Sequence, residues 1–418
     1  MPDRWFIVAD DLTGAADSGA AFAQRGWVTE VFWGGTPPDE DAAVWAFDAD
    51  SRRCASGEAG RRHRDALRRY LTPDRLLFKK IDSTLRGQPA AEIAVLCATL
   101  QELGRTTLGI FAPANPAMGR ITRDGHVFVR GEPLERTETW RREHSYENAD
   151  LAAILVSAGL RPIKLPLAQV RADAPELRKA LHAFAAEAAR EPGTIVICDS
   201  ENDDDLCRIA GAARGLAATG FYIGTAGLAK ALAAQGPLPQ PRVISLEPTT
   251  RGTLIAIGSP AQASRAAARK LAVYLNVRPV RIDGSALRRF DSAAEVMFAL
   301  SIMGQVATGN DVVAVLEPVE GSESPPDPGH ARIFAATLAD ALKHMGALIV
   351  SGGETATALL AQCQVHGIRL LGEIEPGLAL GMTRGKVQVP IVTKPGAFGD
   401  ENCLIRCVDR MREQRQTE

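Results

Sequence analysis

The sequence lacks both the long apolar runs and the excess of one charge that mark several classes of protein. None of the apolar runs in the 418 residues is long enough to span a bilayer. Lysine and arginine number 48 against 50 acidic residues, and a net charge of −2 predicts neither a nucleic-acid nor a membrane surface. The first apolar run is short and has Asp3, Arg4, Asp10 and Asp11 around it, unlike a signal peptide. We therefore expect a cytoplasmic protein with no nucleic-acid or membrane partner.

Metal-type cysteine pairs and the two common nucleotide motifs are missing as well. The seven cysteines are odd in number and have no CxxC spacing, so we expect reduced thiols that mostly pack in the interior. Neither GxxxxGK[ST] nor a GxGxxG that follows a strand occurs. A nucleotide would therefore have to be held without a Walker motif or a dinucleotide fingerprint.

Strand-like runs do alternate with helical segments along nearly the whole chain. This alternation predicts an α/β fold, with Rossmann-like three-layer domains built on mainly parallel sheets. The chain is longer than one core normally holds, so two domains are expected. Prolines interrupt residues 236–252, which predicts a linker between a first domain, 1–235, and a second, 253–418.

The most polar turn follows the apolar strand at Leu76–Phe78. Asp82 in this turn can orient or deprotonate an alcohol, its cations can hold carboxylate or phosphate, and its hydroxyls can donate to sugar oxygens. The alternative is a solvated turn that caps the helix opened by Pro89, and composition alone does not separate the two readings. The polar residues of the turn are Lys79, Lys80, Asp82, Ser83, Thr84 and Arg86.

Two further acidic turns favour a binding site. Phe6–Ala9 ends in Asp10 and Asp11, and adjacent aspartates at a strand end suit a divalent cation or substrate hydroxyls. Another apolar run ends at residues 48–52, where Arg52 is a candidate clamp for a carboxylate because a guanidinium can bind it bidentately. In open α/β sheets, ligands bind at the carboxyl ends of strands, where these turns are expected.

Three turns in the second half are rich in glycine and poor in charge. Each precedes a predicted helix or an irregular loop and can present backbone N–H groups to phosphates. A single such turn is weak evidence because glycine occurs in turns of every function, but three together predict a nucleotide site. They lie at residues 258–260, 351–355 and 393–400.

Taken in order, these motifs resemble the four-carbon acid sugar kinase family over nearly the whole chain. The resemblance implies an amino-terminal sugar-acid-binding domain, a carboxyl-terminal nucleotide-binding domain and a cleft between them. It also implies transfer of phosphate from ATP to the terminal C4 hydroxyl of threonate, erythronate or 3-oxo-tetronate, and the chemistry of phosphoryl transfer adds Mg²⁺. The matching segments are residues 8–15, 50–52, 79–87, 113–114, 119–120, 124–125, 258–259 and 352–355.

The resemblance implies which residues bind the substrate and ATP, and the chemistry of phosphoryl transfer suggests what some of them do. Asp82 is preferred over Asp11 as the group that orients the hydroxyl and accepts its proton, because cations flank it, and Lys80 and Arg86 would stabilise the transferring charge. No metal ligands are implied. The implied substrate positions are Asp11, Arg52, Lys80, Ile81, Asp82, Ser83 and Thr84, and the implied ATP positions are Ser259, Gly352, Gly353, Glu354, Thr355, Gly396 and Gly399.

One loop departs from the family pattern. The family's last loop reads lysine, serine, glycine, glycine, phenylalanine, glycine, whereas this chain has Pro395 and Ala397 at the second and fourth positions. Proline lacks an N–H donor and alanine restricts the backbone, so weaker nucleotide binding is predicted.

Two alternatives of other classes stay open on the sequence alone. An oxidoreductase would share the Rossmann-like scaffold, but the missing GxGxxG counts against it. A non-catalytic sensor of sugar acid and nucleotide would have no need for Asp11, Arg52 and Asp82 together. Substrate stereochemistry is not encoded in these motifs, and a homodimer is left open.

Overall fold

The computed structural model describes residues 3–105, 107–216, 220–236, 249–283, 293–317 and 328–416. It divides into two units: unit 1 comprises Met1–Trp33 and Pro37–Pro241, and unit 2 comprises Gly34–Thr36 and Arg242–Glu418. Both units alternate strands and helices, and the predicted α/β fold class with mainly parallel pairing is confirmed. Most of the predicted linker, residues 237–248, lies outside the described residues.

Unit 1 contains one parallel sheet and a small antiparallel one. Its strands are β1 (Arg4–Ala9), β2 (Thr29–Phe32), β3 (Val44–Asp48), β4 (Arg75–Lys80), β5 (Leu108–Ala112), β6 (Arg120–Arg123), β7 (His126–Val129), β8 (Glu132–Pro133), β9 (Arg161–Leu165), β10 (Thr194–Cys198) and β11 (Gly220–Gly224). Its helices are α1 (Leu12–Ala23), α2 (Ser56–Tyr70), α3 (Pro89–Glu102), α4 (Glu138–Arg142), α5 (Leu151–Ser157), α6 (Leu167–Val170), α7 (Ala174–Ala188), α8 (Asp203–Ala213) and α9 (Ala226–Gln235).

The larger sheet of unit 1 follows the order β2-β3-β1-β4-β11-β5-β10-β9, and its pairings are parallel. Its strands read as continuous apolar runs because helices cover both faces, and Phe6, Leu77 and Phe111 lie in its core. Ala9 of β1 pairs with Asp48 of β3, and Val8 pairs with Lys79 of β4. The turns after these three strands therefore meet at one edge of the sheet.

The smaller sheet has the order β6-β7-β8, and its first hairpin turns at Asp124 and Gly125. Both turn residues have positive φ, 51° and 74°, as a two-residue type I′ turn requires.

Unit 2 has a sheet with the order β13-β14-β12-β15-β18-β17-β16. Its strands are β12 (Thr253–Ile257), β13 (Val280–Asp283), β14 (Val312–Glu317), β15 (Ala347–Ser351), β16 (Val365–Glu375), β17 (Leu378–Gly385) and β18 (Pro390–Lys394). Its helices are α10 (Gln262–Leu275), α11 (Ala293–Ala307), α12 (Pro328–Thr337), α13 (Ala339–His344), α14 (Gly353–Gln362) and α15 (Cys403–Gln416). Pairing is parallel from β13 to β18, whereas β17 is antiparallel to both of its neighbours.

The antiparallel hairpin of β16 and β17 was not predicted. Helix α14 ends at Gln362, and Gln364 before the hairpin has a φ of +52°, a left-handed conformation that no α-helix continues. Among the helices that the structure describes, none combines the length and the apolar character needed to cross a bilayer.

Candidate active site

Arg52, in the turn after β3, connects the two aspartates that follow β1. Its Nε and Nη2 donate to the Asp10 carboxylate at 2.6 and 3.0 Å, and its Nη1 and Nη2 donate to Asp11 at 2.5 and 2.9 Å. Asp11 also caps α1, where it accepts from Gly14 N at 2.8 Å. One guanidinium thus fixes two carboxylates at the strand ends.

Asp82 makes a second ion pair beside the first. Arg86 Nε and Nη2 donate to its two oxygens at 2.9 and 2.8 Å, and the Thr84 hydroxyl and N–H donate to Oδ2. Arg52 Nη2 lies 3.7 Å from Asp82 Oδ1 and joins the two pairs. We call Asp10, Asp11, Arg52, Asp82 and Arg86 the aspartate–arginine cluster.

The positive charges of this cluster lower the pKa of two of its carboxylates, those of Asp82 and Asp10. Burial alone would raise the pKa of Asp82, but attraction to Arg86 and Arg52 and the hydrogen bonds bring it well below its ordinary value. The pKa of Asp10 is also lowered, because Arg52 and Lys79 outweigh its desolvation. The pKa of the neighbouring Asp48 moves the other way, upward, since its burial is reinforced by the nearby acids.

The remaining residues predicted for the substrate lie around this cluster. Lys80 is nearly buried and its Nζ donates to Ile81 O at 2.8 Å, while the Ile81 side chain belongs to the core. A Cβ at Gly14 would lie 3.1 Å from Lys80 Nζ and 2.7 Å from Asp11 Oδ1. Any larger residue at this position would therefore crowd both groups. Ser83 is buried at 6% exposure. The structure thus brings Lys80 close to Asp11 and Thr84 onto Asp82, whereas the Ile81 side chain packs in the core.

Lys79 points to the opposite face of the sheet and is not a ligand-binding cation as the sequence analysis had it. Its Nζ pairs with Glu92 Oε2 at 2.8 Å and donates to His63 Nε2 at 2.8 Å. Glu92 accepts a hydrogen bond from the Ser51 hydroxyl at 2.7 Å, next to Arg52 in the chain. These four residues, Ser51, His63, Lys79 and Glu92, form what we call the buried lysine network.

The histidine of this network is neutral. Its Nδ1 donates to Ala59 O at 2.9 Å, which leaves Nε2 as the acceptor for Lys79. Burial, with the charge of Lys79 next, lowers the pKa of His63 to about 4.

The second site lies in unit 2, where β12, β15 and β18 end side by side. Gly258 N and Ser259 N donate to Ser351 O at 3.1 Å, and Gly352 N donates to Lys394 O at 2.9 Å. We call the turns at residues 258–260, 351–355 and 394–399 the three-turn cluster.

Glycine is required at several positions of this cluster. A Cβ at Gly258 would clash with Thr355 Oγ1, and one at Gly396 would clash with Ser259 Oγ. Gly352 has a φ of 107° and stands at the N-cap of α14, with Gly353 and Glu354 in the first turn. Gly399 has a φ of 77° and abuts Cys403. The predicted ATP positions therefore converge on one tight backbone surface.

Some residues of both sites were not predicted, although for two of them the sequence contains a signal of burial. Glu92 lies four residues before Leu96 on the buried stripe of α3, and His63 lies four before Leu67 on that of α2. A polar residue on an apolar stripe indicates a buried partner. Lys394 of unit 2 gave no such signal, because its burial depends on the packing of three strand ends.

Comparison with known proteins agrees with this arrangement. Residues 5–232 match a family model described as sugar-binding N-terminal domain, and residues 263–404 match one described as nucleotide-binding C-terminal domain. The chain resembles a solved Salmonella typhimurium protein described as a putative tRNA synthase, with a TM-score of 0.78 at 20% identity, covering 98% of this chain and 99% of that one. At that identity the likeness shows the fold alone.

The curated relatives are sugar-acid kinases. A D-threonate kinase of Cupriavidus necator is 37% identical over 98% of this chain and 99% of its own length. A D-erythronate kinase of Heliobacterium modesticaldum is 31% identical over 96% of both chains, and a 3-oxo-tetronate kinase of Methylobacterium radiotolerans is 28% identical over 97% of this chain and 98% of its own. The family predicted from the motifs is confirmed, and the chain belongs to the four-carbon acid sugar kinases.

Proposed function

We propose that this protein is an ATP-dependent kinase that phosphorylates the C4 hydroxyl of a four-carbon acid sugar: D-threonate, D-erythronate or 3-oxo-tetronate. The observation that carries the proposal is the meeting of Asp11, Arg52 and Asp82 at the ends of neighbouring strands, in a chain that matches sugar-acid kinases along its length. Nothing in the structure or in the relatives favours the oxidoreductase or the sensor.

Asp82 is the residue that we assign to the substrate hydroxyl. Its low pKa makes it a weak proton acceptor in the ground state, so its first task is to orient the hydroxyl toward the γ-phosphate. In a loose transition state the proton leaves late, when the attacking oxygen has become acidic, and an ionised carboxylate can then accept it. Oδ2 already accepts from Thr84 and from Arg86 Nε, whereas Oδ1 accepts from Arg86 Nη2, so we assign the less occupied Oδ1 to the substrate.

Lys80 and Arg86 supply positive charge to the transferring group in this mechanism. Arg52 would contact the substrate carboxylate, as the family resemblance implies. Four of its five N–H groups already donate to Asp10 and Asp11, so in this arrangement it can offer one N–H rather than a bidentate clamp. Its larger contribution would be to hold Asp11 in place.

The three-turn cluster is our candidate for ATP, because its glycines leave a surface of backbone that phosphates can approach. Mg²⁺ would be held mainly by the phosphates. Among the described residues, the grouping of three carboxylates close enough to share an ion is Glu30, Asp39 and Asp41, which belongs to unit 1 and not to the three turns. When bound, the ion would neutralise negative charge on the phosphates.

The test is ADP release with ATP and Mg²⁺ across a panel of D- and L-threonate, D- and L-erythronate and the 3-oxo acids. We expect turnover with at least one member, and phosphorus NMR of the product should show the phosphate on C4. ATP binding without turnover on any acid would contradict the proposal. Phosphate on another carbon would contradict the assignment of the C4 hydroxyl.

A further inference from the structure

Lys394, the last residue of β18, is buried at 0% exposure directly beneath the three-turn cluster. Its Nζ donates to Ser264 Oγ at 2.9 Å and to the carbonyl oxygens of Pro395 and Gly396 at 3.3 Å each. Those three acceptors use all three hydrogens of the ammonium group. All of them are uncharged.

The charge of Lys394 has no direct counter-ion in the part of the chain that the structure describes. Glu375, the acid that acts on it electrostatically, is itself paired with Arg406, whose Nε lies 2.6 Å from Oε2. Burial accordingly lowers the pKa of Lys394. A buried ammonium whose hydrogen-bond acceptors are all neutral is unfavourable unless an anion comes close.

The hydrogen bonds of Lys394 also set the direction of the next peptide groups. The chain has no cis peptide bonds among its described residues, and in a trans peptide the N–H points opposite to the carbonyl. Since the carbonyls of Pro395 and Gly396 point in toward Nζ, the N–H groups of Gly396 and Ala397 point away from it. Neither N–H has a hydrogen-bond partner among the described residues, and Ala397 is exposed.

Ser264 holds this arrangement together. Its hydroxyl donates to Gly396 O at 2.7 Å and contacts the Ser351 hydroxyl at 2.7 Å, so it connects β18 with the neighbouring turn after β15. Both serines are fully buried.

We propose that Lys394 is a positioning residue for the nucleotide phosphates: it aims the N–H groups of Gly396 and Ala397 outward and places an uncompensated positive charge behind them. The inference rests on the proposed function, since it assumes that the three-turn cluster binds ATP. It predicts that Lys394 affects a nucleotide in proportion to its phosphates, without touching it.

The test is the affinity of Lys394→Met for ATP, ADP, AMP and adenosine, measured by calorimetry. Loss of one charge and its oriented donors should weaken ATP and ADP about 10- to 100-fold and leave adenosine nearly unchanged. In the kinase assay, KM for ATP should rise while KM for the sugar acid stays constant. Lys270→Met is the matched control, because Lys270 lies on α10 of the same unit in an exposed pair with Glu401 and should change nothing.

Equal weakening of all four ligands would show that Lys394 only supports the fold, and unchanged ATP affinity would show that it has no role; either result overturns the proposal. If Lys394→Met does not fold, Ser264→Ala keeps the charge but removes the donor to Gly396 O. That variant should still show a smaller, phosphate-dependent loss, and no loss would refute the proposal. A wild-type protein that binds none of the nucleotides would refute the proposed function itself.

Discussion

The two candidate sites treat charge in opposite ways. In the aspartate–arginine cluster of unit 1, the guanidiniums of Arg52 and Arg86 are bound by protein carboxylates, and the lysine beneath them is paired with Glu92. In the three-turn cluster of unit 2, donors come from the backbone and the one buried ammonium, that of Lys394, has neutral partners. Each guanidinium of the unit 1 cluster thus has a carboxylate partner, whereas Lys394 of unit 2 has none among the described residues.

This difference fits the ligands that we propose for the two sites. A sugar acid has one negative charge and several hydroxyls, so a cluster whose charges are already paired can select it by geometry. A nucleotide triphosphate carries several charges, and a site that leaves positive charge uncompensated gains affinity from them. Single substitutions in the two sites test this contrast.

Removing the charge of Asp82 should affect catalysis most. Asp82→Asn keeps the side chain's size but cannot accept the proton, and we expect turnover to fall about 100- to 10,000-fold with ATP affinity unchanged. Steady-state kinetics with saturating sugar acid measure this. Asp65→Asn is the control, because Asp65 forms an exposed pair with Arg61 on α2. Turnover within a few-fold of wild type would refute the role assigned to Asp82.

The ion pair of Lys79 and Glu92 beneath the aspartate–arginine cluster should contribute strongly to stability. Glu92→Gln leaves Lys79 buried without its counter-charge, and the loss of one partner of a buried pair should lower the free energy of unfolding by about 3–5 kcal/mol. Glu102→Gln, on the same helix, breaks only the exposed pair with Arg68 and should cost less than about 1 kcal/mol. Tryptophan fluorescence in urea is a suitable probe, since all five tryptophans lie in unit 1. Equal effects of the two variants would contradict the assigned difference in burial.

Acid should lower the free energy of unfolding of unit 1. His63 has a pKa of about 4 when folded and 6.5 as a free side chain, so the unfolded chain binds the extra proton between these values. The contribution of neutral His63 to the free energy of unfolding is therefore fully present above about pH 6.5. It falls by about 3 kcal/mol toward pH 4. The lowered pKa values of Asp10, Asp82 and Glu92 extend the loss to lower pH, and the raised pKa of Asp48 partly offsets it.

The slope of the free energy of unfolding against pH can be measured by urea unfolding at several pH values, followed by tryptophan fluorescence. His63→Gln should flatten the slope between pH 6.5 and 4, whereas His182→Gln on the surface of α7 should preserve it. A slope that survives His63→Gln would assign the acid sensitivity to other groups.

The smallest expected effect concerns the glycines of unit 2. A Cβ at Gly396 would clash with Ser259 Oγ and displace the turn, so Gly396→Ala should weaken ATP about tenfold with no change in the KM for sugar acid. Gly304→Ala is the control, since a Cβ there meets no atom within 4 Å and the residue lies inside α11. Unchanged ATP affinity in Gly396→Ala would place the phosphates elsewhere.

The polar turns could be predicted from the sequence because each follows its strand directly. Asp11, Arg52 and Asp82 lie at neighbouring strand ends, as the α/β pattern implies. The sequence could not show on which face of the sheet each lysine side chain lies. Lys79 and Lys80 are consecutive, and because side chains alternate across a strand, one joins the buried lysine network and the other lies toward α1. Which lysine goes where depends on the faces that α2, α3 and α1 cover.

The second half was predicted less completely. The hairpin of β16 and β17 was missed because its antiparallel strands contain glycines and half-buried charges, unlike the apolar runs of the parallel strands. The role of Lys394 could not be predicted at all, since it depends on Ser264, 130 residues earlier.

Pro395 follows that buried lysine and bears on the entropy of the loop as well as on its donors. A proline ring fixes φ, so residue 395 samples fewer conformations before any ligand arrives. A loop with less freedom to lose is ordered at a smaller entropic penalty when phosphates bind. The residue that removes one N–H from the loop thereby preorganises the two that come after it.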